Sequence, residues 1–356
     1  MSRISHQNQP VSTDFIIIGA GLSGLTTAYY LKKRHRITPL ILEARSEIGG
    51  RIKTTDSIDL GATWLGKEHR NLLKLLDELG IETFPQYQKG KGIFIHSAAE
   101  PPHYFDTEEN SSSTFRIAGG SSNLIDALRK ASDINIKSNQ RVVKINDENN
   151  VLEIISDKNT FHAKKVVITV PPQLAMQTMQ FTPSLPTQLQ EEMKSTHTWM
   201  SNAIKVALAF EKKFWRKKNL SGTLIAPNGP VIELYDHSNL QGNSYSLMGF
   251  ANEALREHSP DNRKQVIIEF LTSYFGDQIN DYTSYKEKDW LEDQFTATPF
   301  SKSIYMHPEY GSEVFEKSYM GDKLLFSGSE TSGTFGGYME GAVASAKRAA
   351  QFIHKT

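Results

Sequence analysis

Gly19, Gly21 and Gly24 stand in the order G-x-G-x-x-G. They lie between an apolar run, Phe15 to Ile18, and a stretch with helical spacing at Leu22, Leu25, Ala28, Tyr29 and Leu31. In that setting each glycine has a physical task. Gly19 turns the chain sharply, Gly21 lets the backbone approach a pyrophosphate, and Gly24 lets helix and strand pack closely. Phosphates then meet the free N–H groups and positive dipole end of the helix that opens at Leu22 and Ser23. Glu43 closes a second apolar run, "TPLILEA", 19 residues past Gly24, where a carboxylate accepts the hydroxyls of an adenosine ribose. Ala44 and Arg45 follow it, and then a second glycine pair that includes Gly50 precedes Arg51. That pair offers backbone N–H groups and a fixed cation to a second phosphate region. The fingerprint serves NAD as well as FAD, and a glycine turn without a ligand is the plainer alternative; strand, helix and Glu43 together favour a dinucleotide.

Two other stretches carry unusual residues. In "NAIKVALAF" one face reads Ile204, Val206, Leu208, Phe210 and the other Ala203, Lys205, Ala207, Ala209. A solvent face normally carries several polar residues, so a lone Lys205 among alanines reads as a charge pointed into a tight space, its pKa lowered by burial. An exposed edge position is the alternative. Near the end, "FSGSETSGTFGGYMEGAVASA" sets five glycines around Tyr338 before an alanine-rich helix. Such a loop lets the backbone pass close to a flat bound group, or it is a plain turn. His197, His237 and His307 lie outside these motifs and read as surface or structural residues, with no metal-ligand spacing.

The elements that hold these residues alternate between strand and helix at both ends of the chain and are mixed in the middle. The reading is α/β: a Rossmann-like FAD- or NAD-binding domain with a discontinuous parallel sheet, and an inserted α+β substrate-binding domain. Residues 14–85, 115–172 and 286–356 are assigned to the dinucleotide domain, 86–114 and 173–285 to the inserted one, and 1–13 to a flexible tail.

Composition excludes several classes. Forty basic and forty acidic residues balance, which argues against a nucleic-acid or anionic-membrane partner. The absence of cysteine excludes disulfides, thiolate catalysis and a cysteine-tethered cofactor. The polar N-terminus lacks the apolar core of a signal peptide, and no run of about 18 apolar residues exists to span a membrane. A cytoplasmic protein is expected, of unassigned oligomeric state.

"EARSEIGGR" and "IDLGATWLG" resemble the flavin-containing amine oxidase family, which includes monoamine oxidases, polyamine oxidases and flavin histone demethylases. The resemblance continues through "FRIAGGSSNL", "RVVKI", "AIKVALAFEKKFWRKKNLSG", "KEKDWLEDQFTATPF" and "FSGSETSGTFGGYMEGAV", nearly the whole chain. It implies FAD. Ala62, Thr63 and Trp64 would line the flavin, Val142 would touch adenine, and Ser329 and Glu330 would meet the ribityl chain. Gly337, Met339 and Ala342 would bring a helix N-terminus under the pyrimidine end. Tyr338 and Phe300 would form the aromatic cage for the amine, and Lys205, with Trp290 nearby, would hold a water near flavin N5. Pro299 stands where animal monoamine oxidases attach the flavin through cysteine, which implies non-covalent FAD. The implied reaction takes a small primary amine and dioxygen to imine, aldehyde and hydrogen peroxide. An L-amino-acid oxidase would need a cation close after Trp64, where Leu65 and Gly66 precede Lys67 and Arg70. A polyamine oxidase would want carboxylates along a tunnel, and its histidine is replaced by Leu65-Gly66. An FAD-dependent desaturase and a non-catalytic FAD-binding module are the remaining rivals.

Overall fold

The computed structural model describes residues 11–97, 99–107, 113–297 and 309–355. Two large sheets dominate it. The first runs, edge to edge, through Asn135–Lys137, Leu40–Leu42, Val11–Ile18, Thr160–Ile168, Val151–Ser156, Val142–Glu148 and Gln180–Thr182. Its centre is parallel: Val11–Ile18 pairs with Leu40–Leu42 on one side and Thr160–Ile168 on the other. Strand Thr160–Ile168 divides its far side, giving Thr160–Ala163 to Val151–Ser156 and Val166–Ile168 to Leu324–Phe326. The C-terminal segment thereby reaches the centre of the N-terminal sheet, as the alternation at both chain ends implies. Ile16, Ile17, Ile18, Leu40, Ile41 and Leu42 are all buried, as expected of strands covered on both faces.

Helix Leu22–His35 covers one face, packed against Met339–Lys355 and Ser122–Ser132. Ala342, Ala346 and Ala349 give the last helix the smooth buried side read from the sequence. The other face lies under Pro172–Thr178 and Thr187–Ser195, through Ala175, Leu189 and Met193.

The second sheet has the order Ser284–Asp289, Ile204–Phe210, Tyr245–Ala251, Val231–Asp236, Leu220–Ile225, Lys91–Phe94, His103–Asp106. Ile204, Val206, Leu208 and Phe210 pack with Ile267, Leu271 and Phe275 of helix Pro260–Phe275. The opposite face of the same strand, with Lys205 and Ala207, turns towards Ile58 and Leu60. Ile204–Phe210 has a partner on each side, so Lys205 is not at an edge.

Three boundaries differ from the sequence expectation. Val11, Ser12 and Thr13 belong to the first strand, paired with Phe161, His162 and Ala163, because the long strand Thr160–Ile168 runs on beside them. Gln180–Thr182 and helix Thr187–Ser195 belong with the first sheet. Ser284–Asp289 belongs with the second. Sheet membership depends on long-range pairing, which local composition does not encode.

Candidate active site

A cavity of about 420 Å³ is lined by residues of both sheets and of the last helix. At one end are the glycines. Gly19 has φ of 106°, and a Cβ on Gly24 would lie 2.0 Å from the Gly19 carbonyl oxygen, so close strand–helix contact requires glycine there. A Cβ on Gly21 would find no protein atom nearer than 3.9 Å; Gly21 borders open cavity. Helix Leu22–His35 starts there with no side-chain cap and no acid in its first turn, leaving its amides to a ligand. Glu43 is buried and fixed: Ala20 N–H donates to Oε2 (2.7 Å) and Arg45 N–H to Oε1 (2.8 Å). Its remaining lone pairs serve hydroxyl donors. The Arg45 guanidinium donates to Asp293 (2.6 Å) and Thr296 (3.0 Å).

Arg51 borders the cavity and makes a two-pronged pair with Glu330, at 2.5 and 3.1 Å. Glu330 is fully buried and does not line the cavity. Thr198 and Ser329 also donate to it, at 2.7 and 2.9 Å. Burial alone would raise its pKa, but Arg51 and these hydrogen bonds outweigh it and hold the carboxyl below its ordinary value. Glu330 therefore acts on the cavity through Arg51. The last helix begins at Met339, beside Gly337 on the cavity wall. Its acid, Glu340, turns away and accepts from Asn71 N–H, Asn71 Nδ2 and Leu72 N–H, capping helix Arg70–Glu78. The amides of Met339, Glu340 and Gly341 find no acceptor among the described residues.

Lys205 sits at the other end, 3 % exposed. Its Nζ donates to the Gly61 carbonyl (2.6 Å), Thr63 Oγ1 (2.5 Å) and the Asp59 carbonyl (3.3 Å), and lies 5.0 and 5.2 Å from the ring centres of Trp64 and Phe250. Burial lowers its pKa to about 7, against the pull of Asp59. Behind it lies a buried polar cluster. The Asp59 carboxylate accepts from Thr54 (2.6 Å) and Ser121 N–H (2.9 Å), and Asp59 N–H donates to His237 Nε2 (3.0 Å). Trp290 donates Nε1–H to the Leu60 carbonyl (2.8 Å) and is nearly buried. Tyr338 borders the cavity while 40 % exposed. Phe300 and Pro299, like His307, lie outside the described residues.

The sequence of this chain matches the profile of the family described as "Flavin containing amine oxidoreductase" over residues 22–98 and 91–354. The chain belongs to that family. A probable flavin-containing monoamine oxidase A of Dictyostelium discoideum is 24% identical over 447 residues, spanning 96% of this chain and 97% of the relative. Amine oxidase B of Homo sapiens is 24% identical over 454 residues, spanning 96% and 86%. Among solved structures, a putrescine oxidase bound to putrescine superposes with a TM-score of 0.85 at 21% identity, over 98% of this chain and all of the other. Cyclohexylamine oxidase from Brevibacterium oxydans gives 0.81 at 20% identity, over 98% and 99%.

As a flavin-containing amine oxidoreductase, the protein uses FAD to oxidise amines. The residues present fit that cofactor: a carboxylate with open lone pairs, a helix start without cap or acid, and the glycine-bordered gap beside it. Leu22, Ser23, Ala44, Gly50, Ala62, Thr63, Trp64, Val142, Ser329, Met339 and Ala342 also line the cavity, whereas Gly24 and Glu330 support it from behind. Sequence reasoning missed Met200, Glu233, Phe250 and Phe295, which line the same cavity. Phe250 stands in the strand segment "SYSLMGFAN", but only its pairing with Lys205 reveals the face it occupies. No helix among the described residues is long and apolar enough to cross a membrane.

Proposed function

We propose that this oxidoreductase converts a primary amine to an imine, which water hydrolyses to aldehyde and ammonia, while dioxygen takes the electrons and becomes hydrogen peroxide. The observation that carries the reading is Lys205, desolvated in a cavity wall and flanked by Trp64 and Phe250. Bound FAD supplies the two-electron oxidation of the amine's carbon–nitrogen bond. The protein supplies surroundings. Glu43, Gly21 and the first helix hold the dinucleotide half. Arg51, kept in place by Glu330, lends a fixed positive charge, and the amides at Met339 to Gly341 favour negative charge developing beside them. Trp64, Phe250, Trp290 and Tyr338 line the cavity, and its desolvated interior favours the neutral amine over its ammonium form. Three protein acceptors use all the hydrogens of a charged Lys205. A water at Nζ therefore replaces the longest contact, that to the Asp59 carbonyl.

In this assignment the first sheet and its helices bind FAD and the second sheet presents the amine-facing wall. Pro299 in place of a linking cysteine means that the flavin is held without a covalent bond. A cysteine-free chain suits the reducing cytoplasm. Lys67 and Arg70 do not line the cavity, which disfavours an amino-acid substrate needing a cation for its carboxylate. The test is an anaerobic visible spectrum of the holoenzyme with a pool of primary amines that includes benzylamine, tyramine, butylamine and putrescine. Bleaching of the flavin band, reversed by air, supports the reading. A band unchanged by every amine overturns it.

A further inference from the structure

Arg116 is a charge buried without an ionic partner. It stands between Trp64 and Phe84 in a small sheet of Trp64–Gly66, Thr114–Ile117 and Thr83–Pro85, and it is buried. Its Nη1 donates to the Ser238 carbonyl (2.9 Å) and its Nη2 to the His237 carbonyl (3.2 Å). The guanidinium lies 5.0 Å from the Phe84 ring centre. Nε is buried with no partner, and no carboxylate pairs with Arg116 among the described residues. Burial lowers its pKa to about 10, which leaves it charged at neutral pH. A buried cation held only by two neutral carbonyls and an aromatic ring needs an anion nearby.

Two carboxylates are near enough to act on it, Asp59 and Asp236. Asp236 is already occupied. Its Oδ2 accepts from Arg216 (2.7 Å) and Trp215 Nε1–H (2.8 Å), and its Oδ1 from Ser238 N–H (2.9 Å). Asp59 is not. Thr54 and Ser121 N–H use its Oδ1, while Oδ2 is buried with no partner. His237 Nε2, 3.7 Å from that oxygen, supplies no charge. It accepts from Asp59 N–H, so the ring hydrogen is on Nδ1, and burial, then Arg116 and Lys205, push its pKa well below the ordinary value. His237 Nδ1, Ser121 Oγ and Ser238 Oγ are also buried without partners, and ordered water is the usual partner of such atoms. Arg116 and Asp59 balance each other across this polar interior without touching.

Lys205 is the third charged group here. The Asp59 carboxylate draws it towards its charged form and Arg116 opposes that. Its other ionisable neighbours have partners of their own. Lys288, opposite Lys205 on the outer strand, pairs with Asp293 (3.2 Å), and Glu233, beyond Phe250, accepts from Tyr235 OH (2.9 Å). The cluster therefore holds one unpaired anion, Asp59, for two cations, and the guanidinium keeps its proton more firmly than the amine.

We propose that Arg116 is a positioning residue: its buried charge answers that of Asp59 and so leaves Lys205 a neutral amine at the cavity wall. This rests on the amine-oxidase reading of the site. A neutral amine has two hydrogens, which the Gly61 carbonyl and Thr63 Oγ1 take, and a lone pair that accepts a hydrogen bond or a proton. An ammonium group can only donate. Arg116, Asp59 and His237 do not line the cavity, so they act through Lys205.

Two measurements on the FAD-loaded enzyme test this. The first follows the pH titration of lysine side chains labelled with carbon-13 at Cε by NMR, the Lys205 signal being the one lost in Lys205→Met. The expected midpoint is about 7 in the wild type. It rises by about one unit or more in Arg116→Gln, returns towards the wild-type value in Arg116→Lys, and falls by a similar amount in Asp59→Asn. The second follows reoxidation of the photoreduced flavin by air against pH in the same proteins. Its inflection should move with the NMR midpoint and be absent from Lys205→Met. A midpoint unchanged in Arg116→Gln overturns the proposal, as does a midpoint that moves while the reoxidation profile stays in place. If Arg116→Gln does not fold, Asp59→Asn decides: a midpoint that fails to fall there removes the charge balance. Failure of every amine to bleach the flavin band would instead refute the amine-oxidase reading itself.

Discussion

Replacing Lys205 by methionine tests whether the fold holds a desolvated amine at the cavity wall. The lysine is 3 % exposed and its pKa is lowered to about 7, while in the unfolded chain it titrates at its ordinary value near 10.5. Between those values the unfolded chain binds a proton that the native state does not. Wild-type stability must therefore rise with pH across that window and fall as pH drops towards the folded pKa, by about 1.4 kcal/mol per pH unit. From about pH 7 to about pH 8.5 the contribution is about 2 kcal/mol, and over the whole window about 5. Methionine fills much of the same volume and does not titrate, so Lys205→Met lacks this slope. It also carries a constant offset. Gly61 and Asp59 lose a donor to their carbonyls and Thr63 loses its partner, at about 1–3 kcal/mol for each buried group left unsatisfied. Urea unfolding of both proteins in the same excess of FAD, repeated from about pH 6.5 to about pH 9, isolates the slope from the offset. The expected outcome is a wild-type advantage that grows with pH. A stability difference independent of pH would refute the argument, because it would mean that Lys205 titrates as a solvated side chain.

Gly24→Ala forces a Cβ to within 2.0 Å of the Gly19 carbonyl oxygen and should cost about 1–3 kcal/mol or more, whereas Gly21→Ala meets no protein atom closer than 3.9 Å. Gly21→Ala should fold normally and lose FAD affinity, read as flavin retained through gel filtration beside melting temperature. Glu330→Ala leaves Arg51 without its buried partner and should cost about 3–5 kcal/mol, with Glu330→Gln costing less. Because the Glu330 carboxyl titrates below its ordinary value in the fold, its stabilisation is present above the ordinary carboxylate range and is lost as pH falls through the folded pKa; acid unfolding of wild type and Glu330→Gln checks this. Tyr338→Ala removes a ring that is 40 % exposed, so stability should change by about 1 kcal/mol or less while kcat/KM for the amine falls at least about tenfold. Unchanged kinetics would remove Tyr338 from the amine site.

The strand–turn–helix around the glycines was legible because its geometry is local. Gly19, Gly21, Gly24 and Glu43 lie within one strand–helix–strand unit, and short-range geometry dictates both the turn and the position of the carboxylate. The alternation around Lys205 was also readable, since strand periodicity assigns faces without knowledge of the partner strands. Other features depended on which segments meet. The C-terminal strand Leu324–Phe326 joins the N-terminal sheet through Thr160–Ile168, and that contact lets the last helix begin at the cavity. Glu330 stands in a cofactor motif, yet the fold turns it inward to Arg51, from 279 residues earlier in the chain. Glu233 stood in no motif, and strict alternation from Val231 would have put it on the helix-covered face. Only a bulge at Ile232, where Val231 opposes Ala251 and Glu233 opposes Phe250, turns its carboxylate to the cavity that Lys205 lines. The sequence by itself determined the FAD-binding α/β fold and the presence of a buried lysine, because each follows from spacings a few residues long. The tertiary structure alone decided which charges face the cavity, because strand register and long-range pairing choose the face a side chain occupies.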